Sequence, residues 1–80
     1  MIEDMQEKLA GIVRRISGKE TNPDPDESLF DAGYLDSFAL LDVVAEIERE
    51  FGIKIPDADL NPRRFDSLTR IAEYLNSRGV

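Results

Sequence analysis

The sequence contains no cysteine, no histidine and no tryptophan. Without cysteine the chain has no disulfide, no thiolate nucleophile and no thiolate metal ligand. Without histidine it lacks the commonest general base near neutral pH. A serine in this chain therefore has no histidine that could activate it as a nucleophile. These absences argue against chemistry by the protein's own side chains, and we expect a protein that is not an enzyme.

Positive charge is also scarce. Ten lysines and arginines face seventeen aspartates and glutamates, which gives a formal net charge of −7. Nucleic acids and anionic membrane surfaces should repel such a chain, whereas basic protein surfaces should attract it. No apolar run approaches the roughly 18 residues of a membrane span, and no basic leader precedes an apolar run. We expect a cytoplasmic protein that binds neither nucleic acid nor membranes.

Apolar residues recur at steps of three and four in three stretches, which is the pattern of amphipathic helices. The first predicted helix spans residues 2–16. The second begins at Ser37 and ends before Gly52, a suitable residue just past a helix. Asp66 or Ser67 can cap the last helix. Their apolar faces and one later isoleucine predict a core of Leu9, Ile12, Val13, Ile16, Leu41, Val44, Ile47, Phe51, Ile55, Leu68, Ile71 and Leu75.

A long segment without helical pattern separates the first two helices. Residues 18–36 include two prolines and two glycines, which predicts a loop, and a loop of this length in a small domain is usually functional. Its Leu29, Phe30 and Leu35 are expected to dock on the core. Proline and glycine thus end the first helix well before the second begins.

The segment before the last helix is mixed. Ile53 and Ile55 alternate like a strand, but no partner strand is evident, so an extended loop is expected. Asn61 followed by Pro62 has the cap and first-turn chemistry of a short helix. The length suits one small core. We therefore expect residues 1–80 to form a single all-α domain, a bundle of four helices with a short third helix.

One acidic stretch of the loop has some features of a metal site. Asn22, Asp24 and Asp26 alternate as oxygen ligands do in a calcium loop. However, Glu27 stands where such a loop has glycine, and Gly33 stands where it has a bidentate glutamate. We therefore expect no metal site.

Ser37 is the residue whose position best suits a function. Serine is common at helix starts, where its hydroxyl satisfies a free backbone N–H. Here, however, Asp36 can serve as the cap, which leaves Ser37 at the first helical position with its hydroxyl pointing outward. The positive end of the helix would favour an attached phosphate. Because no histidine can activate Ser37, we expect another enzyme to modify it.

Two motifs give the chain a family resemblance. The run GYLDSF at residues 33–38, followed by an acidic helix and by FGIKIP at residues 51–56, resembles the acyl carrier protein family over nearly the whole chain. The resemblance implies an acyl-carrier-protein-like four-helix bundle in which Ser37 carries a covalent 4'-phosphopantetheine arm. It assigns Asp36 as the motif neighbour and helix cap. A phosphopantetheinyl transferase would attach the arm from coenzyme A, and its thiol would hold an acyl group as a thioester.

The residues after the serine bear on the cargo. Fatty-acid carriers usually have leucine at the position of Phe38 and often an acid at that of Ala39, so a dedicated fatty-acid role is not favoured. The resemblance implies a stand-alone acyl carrier for lipid or secondary-metabolite synthesis. An aminoacyl carrier of the D-alanyl or peptidyl type is an alternative, since LDSF also occurs in D-alanyl carriers. A helical interaction module is the non-carrier alternative, but it gives Ser37 and the long loop no purpose.

The resemblance also implies partners. They are a phosphopantetheinyl transferase, an acyl or aminoacyl ligase, and a downstream transferase or synthase with basic docking surfaces. We expect a monomer that meets them with the start and exposed face of the second helix, namely Phe38, Ala39, Leu40, Asp42, Glu46 and Glu48. If Leu40 instead packs under the long loop, it belongs to the core.

Overall fold

The computed structural model describes the backbone of residues 2–80 and the side chains from Asp4 onward. It contains three α-helices, α1 (Ile2–Ser17), α2 (Ser37–Phe51) and α3 (Leu68–Ser77). Two short 3-10 helices, Asp57–Asp59 and Pro62–Phe65, lie between α2 and α3. No β-strand occurs in these described residues, so the all-α prediction is confirmed. The side chain of Ile2, the first residue of the apolar pattern at residues 2–16, lies outside the described residues.

Local capping sets the bounds of α2. The Asp36 side chain accepts hydrogen bonds from two backbone N–H groups at the start of the helix. At the other end, Gly52 has φ 68° and donates its N–H to the carbonyl of Glu48. A residue with an L side chain is strained at such a positive φ, so glycine suits this position. The bounds predicted from the sequence for this helix are confirmed.

Ion pairs between helices show how α1 and α2 pack. Lys8 lies 3.6 Å from Glu50, and Arg15 lies 3.5 Å from Glu46. Arg15 lies nearer the end of α1 than Lys8 does, whereas its partner Glu46 lies nearer the start of α2 than Glu50 does. The two helices are therefore antiparallel. Helix α1 also packs against α3. It therefore lies between the other two helices and contributes to both contacts.

The short helix predicted at Asn61 and Pro62 is a 3-10 helix of four residues. The Asn61 side chain accepts the N–H of Arg63 at 2.9 Å, which is the predicted cap. Phe65 is the only residue of this helix that is buried. One apolar anchor gives too little burial to extend the segment into an α-helix. The described chain thus has three α-helices, and the fourth helix of the expected bundle is this short turn.

The core contains more of the loops than the sequence predicted. Of the predicted core residues, Ile16 and Phe51 are half-buried, Leu41 is exposed, and the others are buried. Phe65 and four residues of the long loop are buried with them, namely Pro23, Leu29, Tyr34 and Leu35. Docking of Leu29, Phe30 and Leu35 is confirmed, with Phe30 half-buried. The long loop is therefore part of the packed structure.

A polar network ties the segment after α2 to α3. The Tyr74 hydroxyl donates to Asp59 at 2.6 Å, and the Arg78 guanidinium lies 3.4 Å from the same carboxylate oxygen. Arg78 also donates to the carbonyl of Lys54 at 3.0 Å. Burial raises the pKa of Tyr74, and its hydrogen bond to Asp59 raises it further.

None of the helices in the described residues is long and apolar enough to cross a membrane.

Candidate functional site

The last part of the long loop fixes the position at which α2 begins. The Leu29 carbonyl accepts the N–H groups of Tyr34 at 2.8 Å and Leu35 at 3.1 Å. Gly33, with φ 83°, allows the tight turn that brings these residues back onto Leu29. Since Leu29, Tyr34 and Leu35 are all buried, the backbone just before Asp36 is anchored to the core.

The same loop is bonded to the start of α3. The Ser28 hydroxyl donates to the Asp66 carboxylate at 2.7 Å, and the Leu29 N–H donates to the Asp66 carbonyl at 2.6 Å. The N–H of Thr69, in the first turn of α3, donates to the carbonyl of Pro25 at 3.0 Å. These bonds hold the loop against a second helix, so the backbone that leads into α2 is supported by the segment at the start of α3.

Asp36 caps α2, and Ser37 follows it as the first residue of the helix. One carboxylate oxygen of Asp36, Oδ1, accepts the N–H of Phe38 at 3.0 Å and that of Ala39 at 2.8 Å. Ser37 is the first residue of α2 and is exposed. The cap is therefore Asp36, as predicted, and the Ser37 hydroxyl is not used for capping. A primary alcohol on a fixed, accessible backbone is suited to modification by another protein.

The apolar surface next to Ser37 differs from the prediction at one pair of residues. Phe38 is 80% exposed and Ala39 is half-buried. Leu40, predicted to be exposed, is only 7% exposed, whereas Leu41, predicted in the core, is 56% exposed. The expected exposure of Leu40 and the expected burial of Leu41 are therefore wrong, and the alternative that Leu40 belongs to the core is confirmed.

Helix geometry explains the exchange. Val43, Val44 and Ile47 are buried, and Leu40 precedes them by three, four and seven residues, which places it on the same face. Leu41 is rotated about 100° away from Leu40 in a helix of 3.6 residues per turn. This spacing is visible in the sequence, so it is the signal that could have identified Leu41 as a surface residue.

The three acids predicted on the exposed face of α2 have different surroundings. Glu46 is paired with Arg15 of α1 and with Arg49 one turn later in α2. Glu48 accepts the N–H of Ile55 at 2.7 Å and so fastens the segment after α2. Asp42 is exposed and forms no ion pair within the described residues. Asp42 is therefore the predicted acid that is most available to a partner.

Concave features near this site are shallow. A hollow of about 290 Å³ lies between the loop that precedes α2 and the second 3-10 helix, lined by residues that include Phe30 and Arg63. Within the described residues, no group of three or more acidic side chains is placed to hold a metal ion. The site is thus an exposed hydroxyl with apolar neighbours on a protein surface.

The residues present fit a covalently attached group better than an enclosed ligand. An exposed hydroxyl can form an ester without any rearrangement of the backbone around it. The exposed side chains of Phe38 and Leu41 lie within the first two turns of the same helix, so a protein that reaches Ser37 also meets an apolar surface. Such surfaces commonly mark protein contacts.

Comparison with known proteins gives two findings. Residues 7–75 match the model of the family described as phosphopantetheine attachment site. The chain is also 30% identical over 69 residues to the D-alanyl carrier protein of Streptococcus uberis, which covers 86% of this chain and 87% of that protein. D-alanyl carrier proteins of Streptococcus pyogenes serotypes M5 and M49 are 29% identical with the same coverage. The site and its supporting loop fall inside the matched region.

Proposed function

We propose, from the premise that the chain belongs to the family of carrier proteins with a phosphopantetheine attachment site, that Ser37 is its attachment residue. The family's cofactor is a covalently bound 4'-phosphopantetheine. The observation that carries the assignment is the exposed Ser37 at the first position of α2, beside an Asp36 that already caps the helix. When bound, the group supplies a terminal thiol that can hold a carboxylic acid as a thioester.

The chain's own residues would position the modification. Asp36 fixes the first turn of α2, and Leu29 and Leu35 anchor the preceding loop in the core. Ser37 would supply the oxygen, and the transferase would have to activate it because this chain has no histidine. We infer that residues 1–80 act as one carrier domain without catalysis of its own.

For the cargo we propose an amino acid, in the manner of a D-alanyl carrier. The support is that the relatives named above are D-alanyl carrier proteins, matched over most of their length. Phe38 after the serine, in the LDSF run of residues 35–38, agrees with this subtype. The sequence resemblance favours an acyl carrier, with the aminoacyl carrier as its alternative. The names of the relatives favour that alternative.

Attachment is tested by the mass of the intact protein. After incubation with coenzyme A and a promiscuous phosphopantetheinyl transferase, the wild type should gain the mass of one arm. Ser37→Ala should gain nothing, because the only proposed acceptor oxygen is gone. Ser77→Ala, which removes another hydroxyl at the end of α3, should be modified like the wild type. An arm on Ser37→Ala would refute the assignment.

Cargo is tested separately on the arm-bearing protein. Incubation with ATP, D-alanine and a ligase that activates D-alanine should add the mass of one alanyl group, which hydroxylamine should remove as it cleaves thioesters. An acyl ligase supplied with a fatty acid is the comparison. Loading by the acyl ligase alone would favour the acyl carrier over the D-alanyl carrier. It would not contradict attachment of the arm at Ser37.

A further inference from the structure

Two neighbouring residues could cap α3, and only one of them does. The hydroxyl of Ser67 accepts the N–H of Arg70 at 3.1 Å, which makes Ser67 the cap. The carboxylate of Asp66 is not used for capping, and it accepts the hydroxyl of Ser28 at 2.7 Å instead. Asp66 and Ser28 are both half-buried. A hydrogen bond to a carboxylate that is partly shielded from water is among the stronger kinds in proteins.

Ser28 also stabilises the turn that follows it in the long loop. Its hydroxyl oxygen accepts the N–H of Asp31 at 3.2 Å, while its proton is donated to Asp66. Its carbonyl accepts the N–H of Ala32 at 2.9 Å. The carbonyl of Asp66 accepts the N–H of Leu29 at 2.6 Å. Both the side chain and the backbone of Asp66 therefore bind the first residues of this turn.

The turn leads directly to Ser37. Leu29 donates its N–H to Asp66 and accepts the N–H of Leu35 at 3.1 Å, and Leu35 is followed by the cap Asp36. Burial of Leu29 and Leu35 holds this part of the loop on the core. Apolar contacts are non-directional, so the hydrogen bonds fix its orientation. The start of α3 is thus connected to the start of α2 through one short, bonded piece of loop.

We propose that Asp66 and Ser28 are positioning residues for the modification of Ser37, because their hydrogen bond fixes the orientation of the loop that ends at Asp36. This inference rests on the proposed function. A transferase can act only on molecules that present Ser37 in the position set by these bonds. The apparent affinity for such a protein falls with the fraction of molecules in the competent conformation. Loss of the bond therefore weakens binding to the transferase and leaves the step after binding unchanged.

Ser28→Ala gives the first test. The KM of a phosphopantetheinyl transferase for this variant should be about three- to tenfold higher than for the wild type, with kcat unchanged. Ser28→Thr keeps the hydroxyl and should restore the KM. Tyr74→Phe is the matched control, because it removes a 2.6 Å hydrogen bond between a hydroxyl and the carboxylate of Asp59 at another connection to α3. Its KM should equal that of the wild type.

Three results would overturn the proposal. The first is a wild-type KM for Ser28→Ala, and the second is an equal rise for Tyr74→Phe. The third is a KM for Ser28→Thr as high as that for Ser28→Ala, since the hydroxyl would then not be the cause.

Amide hydrogen exchange measures the loop itself without a transferase. The N–H groups of Leu29 and Leu35 should exchange about three- to tenfold faster in Ser28→Ala than in the wild type. Asp66→Ala should act in the same way. The double variant should exchange no faster than Asp66→Ala alone, because the two substitutions remove the same side-chain bond. Additive effects would mean that the two side chains act separately, which contradicts the proposal.

Intact and fragment masses separate the failure of this proposal from that of the proposed function. An arm that maps to a residue other than Ser37 contradicts the proposed function. An arm that is attached to Ser37 of the Ser28→Ala variant with the KM of the wild type contradicts only the role given to Ser28 and Asp66.

Discussion

Two neighbouring leucines of α2 have opposite surroundings. Leu40 is 7% exposed and lies in the core, whereas Leu41 is 56% exposed and lies with Phe38 on the surface near Ser37. A side chain contributes to stability through the apolar area that it buries, so identical chemistry has different consequences at the two positions. At the scale of single residues, orientation on the helix therefore decides whether a leucine of α2 belongs to the core or to the surface.

The pair gives a matched test. Leu40→Ala should lower the free energy of unfolding by about 2–5 kcal/mol, the usual cost of truncating a buried leucine. Leu41→Ala should change it by less than about 0.5 kcal/mol, as is usual for a surface residue. Urea unfolding monitored by circular dichroism measures both. Equal destabilisation by the two variants would contradict the exposure of Leu41.

At the scale of the helices, two glycines have opposite effects on stability. Gly52 ends α2 at φ 68°, a conformation that alanine adopts only with strain, although no atom blocks a Cβ there. Gly11 lies inside α1, and it too has open space where the methyl group of an alanine would lie. Backbone preference alone therefore decides the effect of alanine at each site, and the two effects have opposite signs.

We expect Gly52→Ala to destabilise the protein by about 1 kcal/mol, because alanine loses the left-handed cap. Gly11→Ala should stabilise it by about 0.5–1 kcal/mol, because alanine is the better helix former. Thermal unfolding of both variants beside the wild type provides the measurement. A stabilising Gly52→Ala would mean that the end of α2 is not held in the left-handed conformation.

The segment between α2 and α3 gives a pH-dependent prediction. Burial and the hydrogen bond to Asp59 raise the pKa of Tyr74 above its ordinary value of 10.0. The folded protein therefore binds this proton more tightly than the unfolded chain does. The resulting stability is present below pH 10 and is lost as the pH rises through the pKa of the folded state.

Urea unfolding at pH 9 and at successive steps above pH 10 should show this decline. Tyr74→Phe should remove the part of the decline that Tyr74 causes, because the titrating hydroxyl is absent. Tyr34→Phe is the matched control and should retain that part. An unchanged pH profile for Tyr74→Phe would show that the network around Asp59 does not favour the protonated phenol.

At the scale of the whole molecule, the net charge is −7, but several carboxylates are already bound to other groups of the protein. Glu46 and Glu50 of α2 face basic residues of α1, and Glu48 holds Ile55. Asp42 remains exposed on the same helix as Ser37. Charge screening in about 0.1 M salt limits attraction to roughly 10 Å, so a free acid close to the approach path should matter more than a distant one.

Charge reversal at Asp42 tests this expectation. Asp42→Lys should slow modification by a basic transferase at low salt and should flatten the salt dependence of its rate. Glu73→Lys makes the same change in net charge on the exposed side of α3 and should have a smaller effect. Equal slowing by the two variants would mean that net charge alone governs the encounter. Reversal of Glu46 is a poorer test because it also breaks pairs with Arg15 and Arg49.

The parts of the fold that depend on near neighbours could be predicted from the sequence. The bounds of α2 follow from Asp36 and Gly52, whose capping bonds reach only two to four residues along the chain. For α3 the sequence left Asp66 or Ser67 as the cap, and the structure shows that Ser67 is the cap. The position of Ser37 outside the cap was predictable for the same reason, as was the family, whose motifs are contiguous.

Tertiary structure decided which faces and charges remain available. The pairing of Glu46 depends on Arg15, which lies 31 residues away in sequence. The long loop became part of the core because Asp66 and Thr69 bond its backbone. These contacts join residues that are distant along the chain, so no local pattern specifies them, and they leave Ser37 exposed on a supported helix start.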